Sequence, residues 1–422
     1  MRDDHGPHRD HLGTSGETTS IALTGLRIWD GRAAGYLAGV DTLRIEGSRI
    51  AALGGRELCE GARVRDCSGV VALPGLIDAH VHLTLDPGIR SAEEQAARSA
   101  SGLDAAMEAR AGAMLGAGIT TARDLGGGAW LELELRDRIA CGAARGPRLL
   151  CAGQPVTSPG GHCHFWGGEA SGPDEVRSVV RRQLEHGVDW IKVMATGGVL
   201  TQGSDTAAAQ FSADEIGAAV AEARSAGLRV AAHCHGTAGI RNAAAAPVAT
   251  IEHCSWLGSP GGFAADFDFE VAKRMASEGI WVSPTVNAGW RRFAEGGERG
   301  RRFVERMQAC YRGLRRAGVG LIASTDAGIP GVAHDRLPHA LAVLAHYAEL
   351  TPVEALRSAT SDSAQALGIA DRTGALRGGL EADVLIVDGD PLSDLGALLH
   401  PVEVIARGRS YEARDSASAG AS

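Results

Sequence analysis

Eight short apolar segments, spaced by helical stretches over roughly 250 residues, restrict the folds open to this chain more than any other feature. They are GLIDAHVHL (75–83), GITTARDLG (118–126), PRLLCAG (147–153), DWIKVMATG (189–197), LRVAAHCHG (228–236), VATIEHCSW (248–256), IWVSPTV (280–286) and VGLIASTDAG (319–328). Each has the length and the Val, Ile and Leu content of a buried strand. The intervening stretches carry helix signals. In SADEIGAAVAEARSAG, Ser212 is a plausible N-cap with Glu215 three residues on, the reciprocal pair of a capping box. TPVEALRSATSDSAQALG predicts a single helix starting after Thr351, with Pro352 at its first position. Strands alternating with helices predict a parallel sheet, and eight alternations predict a (β/α)8 TIM barrel.

The two ends of the chain have another texture. IALTGLRIWDG, DTLRIEGSRIAALGG and RVRDCSGVVALPG near the start, and EADVLIVDGDP and VEVIARGRSYE near the end, are short alternating strands broken by Gly and Asp turns. They predict a small β-sandwich domain formed from the N- and C-terminal segments together. The expected division is a polar tail over 1–18, sandwich over 19–73, barrel over 74–373, the rest of the sandwich over 374–413 and a tail over 414–422. His5, His8 and His11 in the first tail are read as solvated rather than metal-binding.

Composition excludes several classes of function. Hydrophobic residues are 44% and charged residues 22%, which rules out global disorder. A net charge of −9 is unsuited to coating a phosphate backbone, so no nucleic-acid partner is expected. No apolar run approaches the ~20 residues that span a bilayer, and the N-terminus lacks the apolar stretch of a secretory signal. Eight scattered cysteines without a CxxC pair fit reduced thiols in a cytoplasmic protein.

Polar residues gather at the C-terminal ends of the predicted strands, which in such a barrel converge on one face. The first strand ends in His80-Val81-His82, and residues two apart on a strand point the same way. The fourth carries Lys192 between Ile191 and Val193; the fifth, sixth and eighth end in His233, His253 and Asp326. Singly, each has a structural explanation. Together, four imidazoles and a carboxylate around one axis repel protons and attract divalent cations.

The motifs LPGLIDAHVHL, GITTARDLGG, IKVMATGG, VAAHCHG, IEHC, STDAG and ADVLIVDGDP, in this order from about Ile21 to Tyr411, resemble the amidohydrolase superfamily, in particular its imidazolonepropionase-like and prolidase-like members. The resemblance implies two divalent metal ions, with zinc the expected metal. His80, His82 and Asp326 would hold the more buried ion, His233 and His253 the more exposed one. Lys192 would bridge them as a carbamate formed with carbon dioxide. The implied reaction is hydrolysis of a C–N bond of a small-molecule amide, such as a dipeptide or an N-acyl amino acid, with Asp326 moving the proton from water to the leaving nitrogen. Family members often assemble as homo-oligomers.

His162, in the Gly-rich loop PVTSPGGHCHFWGG with His164, is read as a residue that orients substrate or assists the oxyanion. His235 could point like His233 and is assigned to substrate, in a place where prolidase-like relatives commonly have Tyr. Arg291, after the seventh strand, is a candidate clamp for a substrate carboxylate, and Gly197-Gly198 lets backbone approach the metal face. Arg123-Asp124 reads as a structural ion pair. Trp166, Trp256 and Trp290 are candidates for an apolar wall, His334 and His339 for the surface, and Cys234 and Cys254 for packing. The alternative activity is that of a mononuclear deaminase or cyclic-amide hydrolase of the same superfamily. Such enzymes often carry a general-base Glu three residues after the strand-five His; here that position is Gly236. A non-enzymatic relative would be expected to have lost ligands, and none of the six is missing.

Overall fold

The computed structural model describes residues 20–413 apart from 92, 93, 96, 99, 259 and 260. The expected tails at 1–18 and 414–422, with His5, His8 and His11, lie outside the described residues. The fold is mixed α/β. Strands β1 (Ser20–Thr24), β2 (Arg27–Ile28), β3 (Thr42–Glu46), β4 (Arg49–Gly54), β5 (Arg63–Asp66) and β6 (Val71–Pro74) come first. The middle of the chain supplies β7 (Leu76–Val81), β8 (Ile119–Asp124), β9 (Arg148–Cys151), β10 (Trp190–Met194), β11 (Arg229–Gly236), β12 (Thr250–Leu257) and β13 (Trp281–Ser283). The last strands are β14 (Val384–Val387), β15 (Pro401–Ala406) and β16 (Arg409–Glu412).

The ends of the chain meet in one sheet. Its order is β16-β15-β14-β6-β2, with Val384 opposite Pro74 and Val387 opposite Val71 in an antiparallel ladder. A second sheet, β4-β3-β1-β5, is wholly N-terminal. Alternation decides which side chains these sheets share. Leu23, Leu43 and Ile45 from one and Ala72, Val384 and Ile386 from the other are buried in a common apolar cluster.

The middle strands are parallel and form two sheets, β7-β8-β9 and β10-β11-β12-β13. Single parallel bridges extend them: Val156 to Val193, Val282 to Leu321 and Val81 to Ala327. The expected eighth strand is therefore held by isolated bridges rather than a continuous ladder. The side chain of Asp78 explains part of this. It accepts from Thr325 N (3.1 Å) and from Thr325 Oγ1 (2.6 Å), taking bonds that a neighbouring backbone would otherwise supply. Asp326 N still donates to His80 O (2.9 Å) and His82 N to Ala327 O (2.7 Å), so Asp326 is tied to the first strand of the set.

Helices cover these sheets through regular apolar faces. Helix Gly172–Glu185 buries Val176, Val179, Val180 and Gln183, the i, i+3, i+4, i+7 stripe of one face. Helix Ala213–Ser225 begins with the expected capping box of Ser212 and Glu215, an arrangement in which the cap alone is worth about 1 kcal/mol. The single helix expected after Thr351 is instead two, Pro352–Ser358 and Ser361–Leu367. Thr360 Oγ1 donates to Leu356 O (2.7 Å) and Ser358 Oγ to Ala355 O (2.7 Å). Such hydroxyl bonds compete with helix propagation, and the run of Ser and Thr breaks it here. Among the described residues no helix is long and apolar enough to cross a membrane.

Candidate metal centre

The C-terminal ends of β7, β11 and β12 and the segment 319–328 bring six polar side chains to one cavity of about 420 Å³. His80, His82 and Asp326 form one cluster, and His233, His235 and His253 form another. Within each cluster one ligand atom per residue lies within 4.8 Å of the others. The two clusters abut: the His80 and His253 rings are 5.3 Å apart at their centroids. Lys192, on β10, opens onto the same cavity, and its Nζ is buried with no hydrogen-bond partner among the described residues.

Ring orientation can be read from the partners. His82 Nδ1 lies 2.9 Å from Gly126 O, an acceptor only, so Nδ1 carries the hydrogen. His80 Nδ1 lies 2.9 Å from Glu252 Oε2, and the other Glu252 oxygen accepts from Arg123 Nη2 at 2.8 Å. Both rings therefore turn a lone pair on Nε2 toward each other, at 3.2 Å. Asp326 Oδ1 stands 3.3 Å from the first of these nitrogens and 3.5 Å from the second. Two imidazole lone pairs and a carboxyl oxygen thus converge on one point, a set suited to holding a cation. On the other cluster, His233 Nε2 donates to Gly197 O (3.1 Å), leaving Nδ1 free. His253 Nδ1 and Thr285 Oγ1 are hydrogen-bonded at 2.8 Å.

Burial drives the charges of the site down. It holds the imidazoles of His80, His233 and His253 well below their ordinary value and takes His82 to about 3, with Lys192 and neighbouring imidazoles adding to the effect. These rings stay neutral at physiological pH, the form that ligates a metal. Burial also lowers the Lys192 amine to about 8 and raises the Asp326 carboxyl to about 7. Backbone strain collects at the same place. His253, Thr285 and Asp326 have φ of 64°, 52° and 59°, a region that costs a non-glycine residue about 1–3 kcal/mol.

His162 lines the cavity beside His233, with ring centroids 4.7 Å apart, and its Nδ1 pairs with Thr201 Oγ1 at 3.0 Å. Gly198 is what admits it: a Cβ at that position would fall 2.3 Å from His162 Nε2. His164 turns away to Gly161 O (3.0 Å). Trp166 and Trp290 line the cavity, whereas Trp256 is fully buried against Phe267. Arg291, exposed on the short helix Arg291–Ala294, is not among the lining residues.

Two readings of the sequence require correction. Arg123 and Asp124 do not pair with each other. Arg123 points into the core, to Glu252, Thr250 and Ala79 O, while Asp124 accepts from Leu83 N and Gly126 N. Successive residues on a strand face opposite ways, so an adjacent pair cannot share one site. His334 is not at the surface: it is 3% exposed, and its Nε2 lies 3.0 Å from His82 O. Glu252, Thr285, Ser255, Thr201 and Arg90 were not singled out in the sequence. Only Glu252 had a signal there, as a carboxylate in an otherwise apolar strand next to a candidate ligand.

A family model described as the amidohydrolase family matches residues 71–410. The chain belongs to the amidohydrolase family. It is a hydrolase acting on carbon–nitrogen bonds, of a metal-dependent family, with two histidine-rich clusters able to hold metal. Ochratoxinase of Aspergillus niger is 30% identical over 376 residues, covering 79% of this chain and 73% of that protein. Its crystal structure superposes with a TM-score of 0.80 at 26% identity, over 94% of this chain and 96% of that one. A Xaa-Pro dipeptidase solved with methionine in its active site gives a TM-score of 0.80 at 26% identity, over 93% of this chain and all of that one.

Proposed function

We propose that this amidohydrolase is a binuclear metal enzyme that cleaves an amide or peptide-like C–N bond in a small molecule such as a dipeptide or an N-acyl amino acid. One observation carries the reading: two clusters of lone-pair-bearing side chains share a cavity with a buried lysine amine that has no hydrogen-bond partner among the described residues. The similarity to an ochratoxinase and a dipeptidase supports the bond type. The bridges at Val156, Leu321 and Ala327 support reading the two parallel sheets as one closed eight-stranded barrel over 74–373. The common apolar cluster supports a β-sandwich made from 19–73 and 374–413.

His80, His82 and Asp326 would hold one divalent ion and His233 and His253 the other, with Lys192, as its carbamate, between them. When bound, the ions, zinc being the expected metal, would supply Lewis acidity toward the scissile carbonyl and lower the pKa of the attacking water. The chain's own groups do the rest. Lys192 can lose its proton because burial disfavours the ammonium, and the neutral amine adds carbon dioxide with release of a proton. Asp326, beside the Nε2 atoms of His80 and His82, would take a proton from water and return it to the leaving nitrogen. His162, anchored by Thr201, is placed to orient the carbonyl.

With the Lys192 carbamate counted, the second ion already has three protein ligands, the number that leaves a catalytic zinc an open position. His235, held through Nδ1 by Ser255 Oγ at 2.9 Å, then remains for the substrate. His235→Ala is expected to keep both metals while raising KM about 10-fold or more. Loss of one metal from that variant would make His235 a ligand instead. The reading as a whole is tested by elemental analysis of purified protein, which is expected to give two divalent ions per chain. One ion with an unmodified Lys192 amine would favour the mononuclear alternative.

A further inference from the structure

Leu85, Trp166, Met194, Leu200, Phe263 and Trp290 make much of the cavity wall above the donor clusters. Phe263 and Trp290 are backed by further rings. Phe303 lies 6.0 Å from Phe263 and 5.6 Å from Trp290 between centroids, and Tyr347 lies 5.3 Å from Trp290. Interlocked rings make a stiff apolar surface, suited to a flat or bulky hydrophobic group. The polar side chains of the wall are mostly committed. Ser255 Oγ is bonded to His235, Thr285 Oγ1 to His253, and Asn287 Oδ1 accepts from Gly289 N (3.0 Å).

Arg90 is different. It lines the cavity and, among the described residues, is the one charged side chain there outside the donor clusters and Lys192. Among the described residues it has no carboxylate partner. Asp86, four residues before it, is already taken by Arg110 (2.8 Å) and Arg98 (3.5 Å). Arg90 is exposed, so it meets the cavity from its solvent side. A guanidinium presents a planar fork that matches a carboxylate.

We propose that Arg90 determines specificity by binding a free carboxylate of the substrate, while the Phe263–Trp290 wall takes a large apolar or aromatic group on the other side of the scissile bond. The preferred substrate class is thus an amide joining a bulky hydrophobic acyl group to an amino acid with its carboxylate unblocked. The inference rests on the hydrolytic reading above and narrows it. It places the anion clamp on the loop after β7 rather than on Arg291.

The test uses matched pairs: an N-(aromatic acyl) amino acid and its carboxamide, identical except for the charge. The quantity read is the acid-to-carboxamide ratio of kcat/KM in the wild type, Arg90→Met and Arg90→Lys. The wild type is expected to favour the acid at least about 10-fold. Arg90→Met is expected to lower that ratio about 10- to 100-fold, mostly through KM of the acid, and Arg90→Lys to restore part of it. A melting temperature equal to that of the wild type checks that the variants fold. A wild type that turns over both members equally, or an Arg90→Met enzyme that keeps the wild-type ratio, overturns the role of Arg90 and leaves the metal reading standing. Failure to hydrolyse any member of the series with two metals bound overturns both.

Discussion

Lys192→Arg is expected to abolish hydrolysis although it keeps a cation of similar reach. The chain uses arginine almost exclusively: of its 42 Lys and Arg residues only Lys192 and Lys273 are lysines. Lys273 is an exposed helix residue paired with Glu270 at 2.7 Å. Lys192 is 1% exposed, and its Nζ has no hydrogen-bond partner among the described residues. An arginine there would remain charged, since guanidinium does not lose its proton in proteins, and it could neither ligate a metal nor add carbon dioxide. The expected loss in kcat/KM is at least about 1,000-fold, or about 4 kcal/mol of transition-state stabilisation. Lys192→Ala should fall as far, but acetate or propionate should recover part of its activity by standing in for the carbamate. Lys192→Arg should not be rescued, because its side chain fills the space. Wild-type protein equilibrated with 13C-bicarbonate should show one carbamate carbon resonance that both variants lose. A Lys192→Arg enzyme within 10-fold of the wild type would remove the lysine from the mechanism.

The second large effect is expected at Glu252, which touches no substrate. Glu252 and Arg123 are a fully buried ion pair, with Arg123 also donating to Ala79 O and stacked 4.5 Å over the Trp190 ring. The remaining carboxylate oxygen accepts from His80 Nδ1 and so sets which His80 nitrogen faces the metal. Glu252→Ala strands a guanidinium in the core, a change that typically costs about 3–5 kcal/mol. It also frees the His80 ring, for which a 10- to 100-fold loss of metal affinity is expected. Denaturant unfolding of metal-free protein reads the first effect and competition with a chelator the second. Replacing both partners, as Arg123→Met with Glu252→Met, should recover part of the stability but not the metal affinity. That split separates a positioning role from a purely structural one. If Glu252→Ala binds metal as tightly as the wild type, the carboxylate does not position His80.

The parts of this protein legible in its sequence are those set by local periodicity. The apolar segments and their helical spacers predict an α/β chain because each period, two or nearly four residues, is written in neighbouring positions. The HxH of β7 is of the same kind: residues two apart must share a face, and His80 and His82 do. The Ser212–Glu215 cap is local as well. One failure was local too, but of another sort. The break at Ala359–Thr360 came from hydroxyl groups competing for helix carbonyls, an effect that apolar periodicity does not register.

What the order of residues determined, then, was the class of fold and the kinds of side chain that end the central strands, since side-chain chemistry and strand position are properties of single residues and short windows. What only the tertiary structure decided was who stands beside whom. Glu252 meets a ring 172 positions away, and Thr285 steadies a ring 32 positions away. His334 supports the His82 carbonyl, and Arg90 rather than Arg291 reaches the cavity. The physical reason is that these contacts join strands and loops far apart in the chain, and their meeting depends on the packing of the whole molecule rather than on any repeat along the chain.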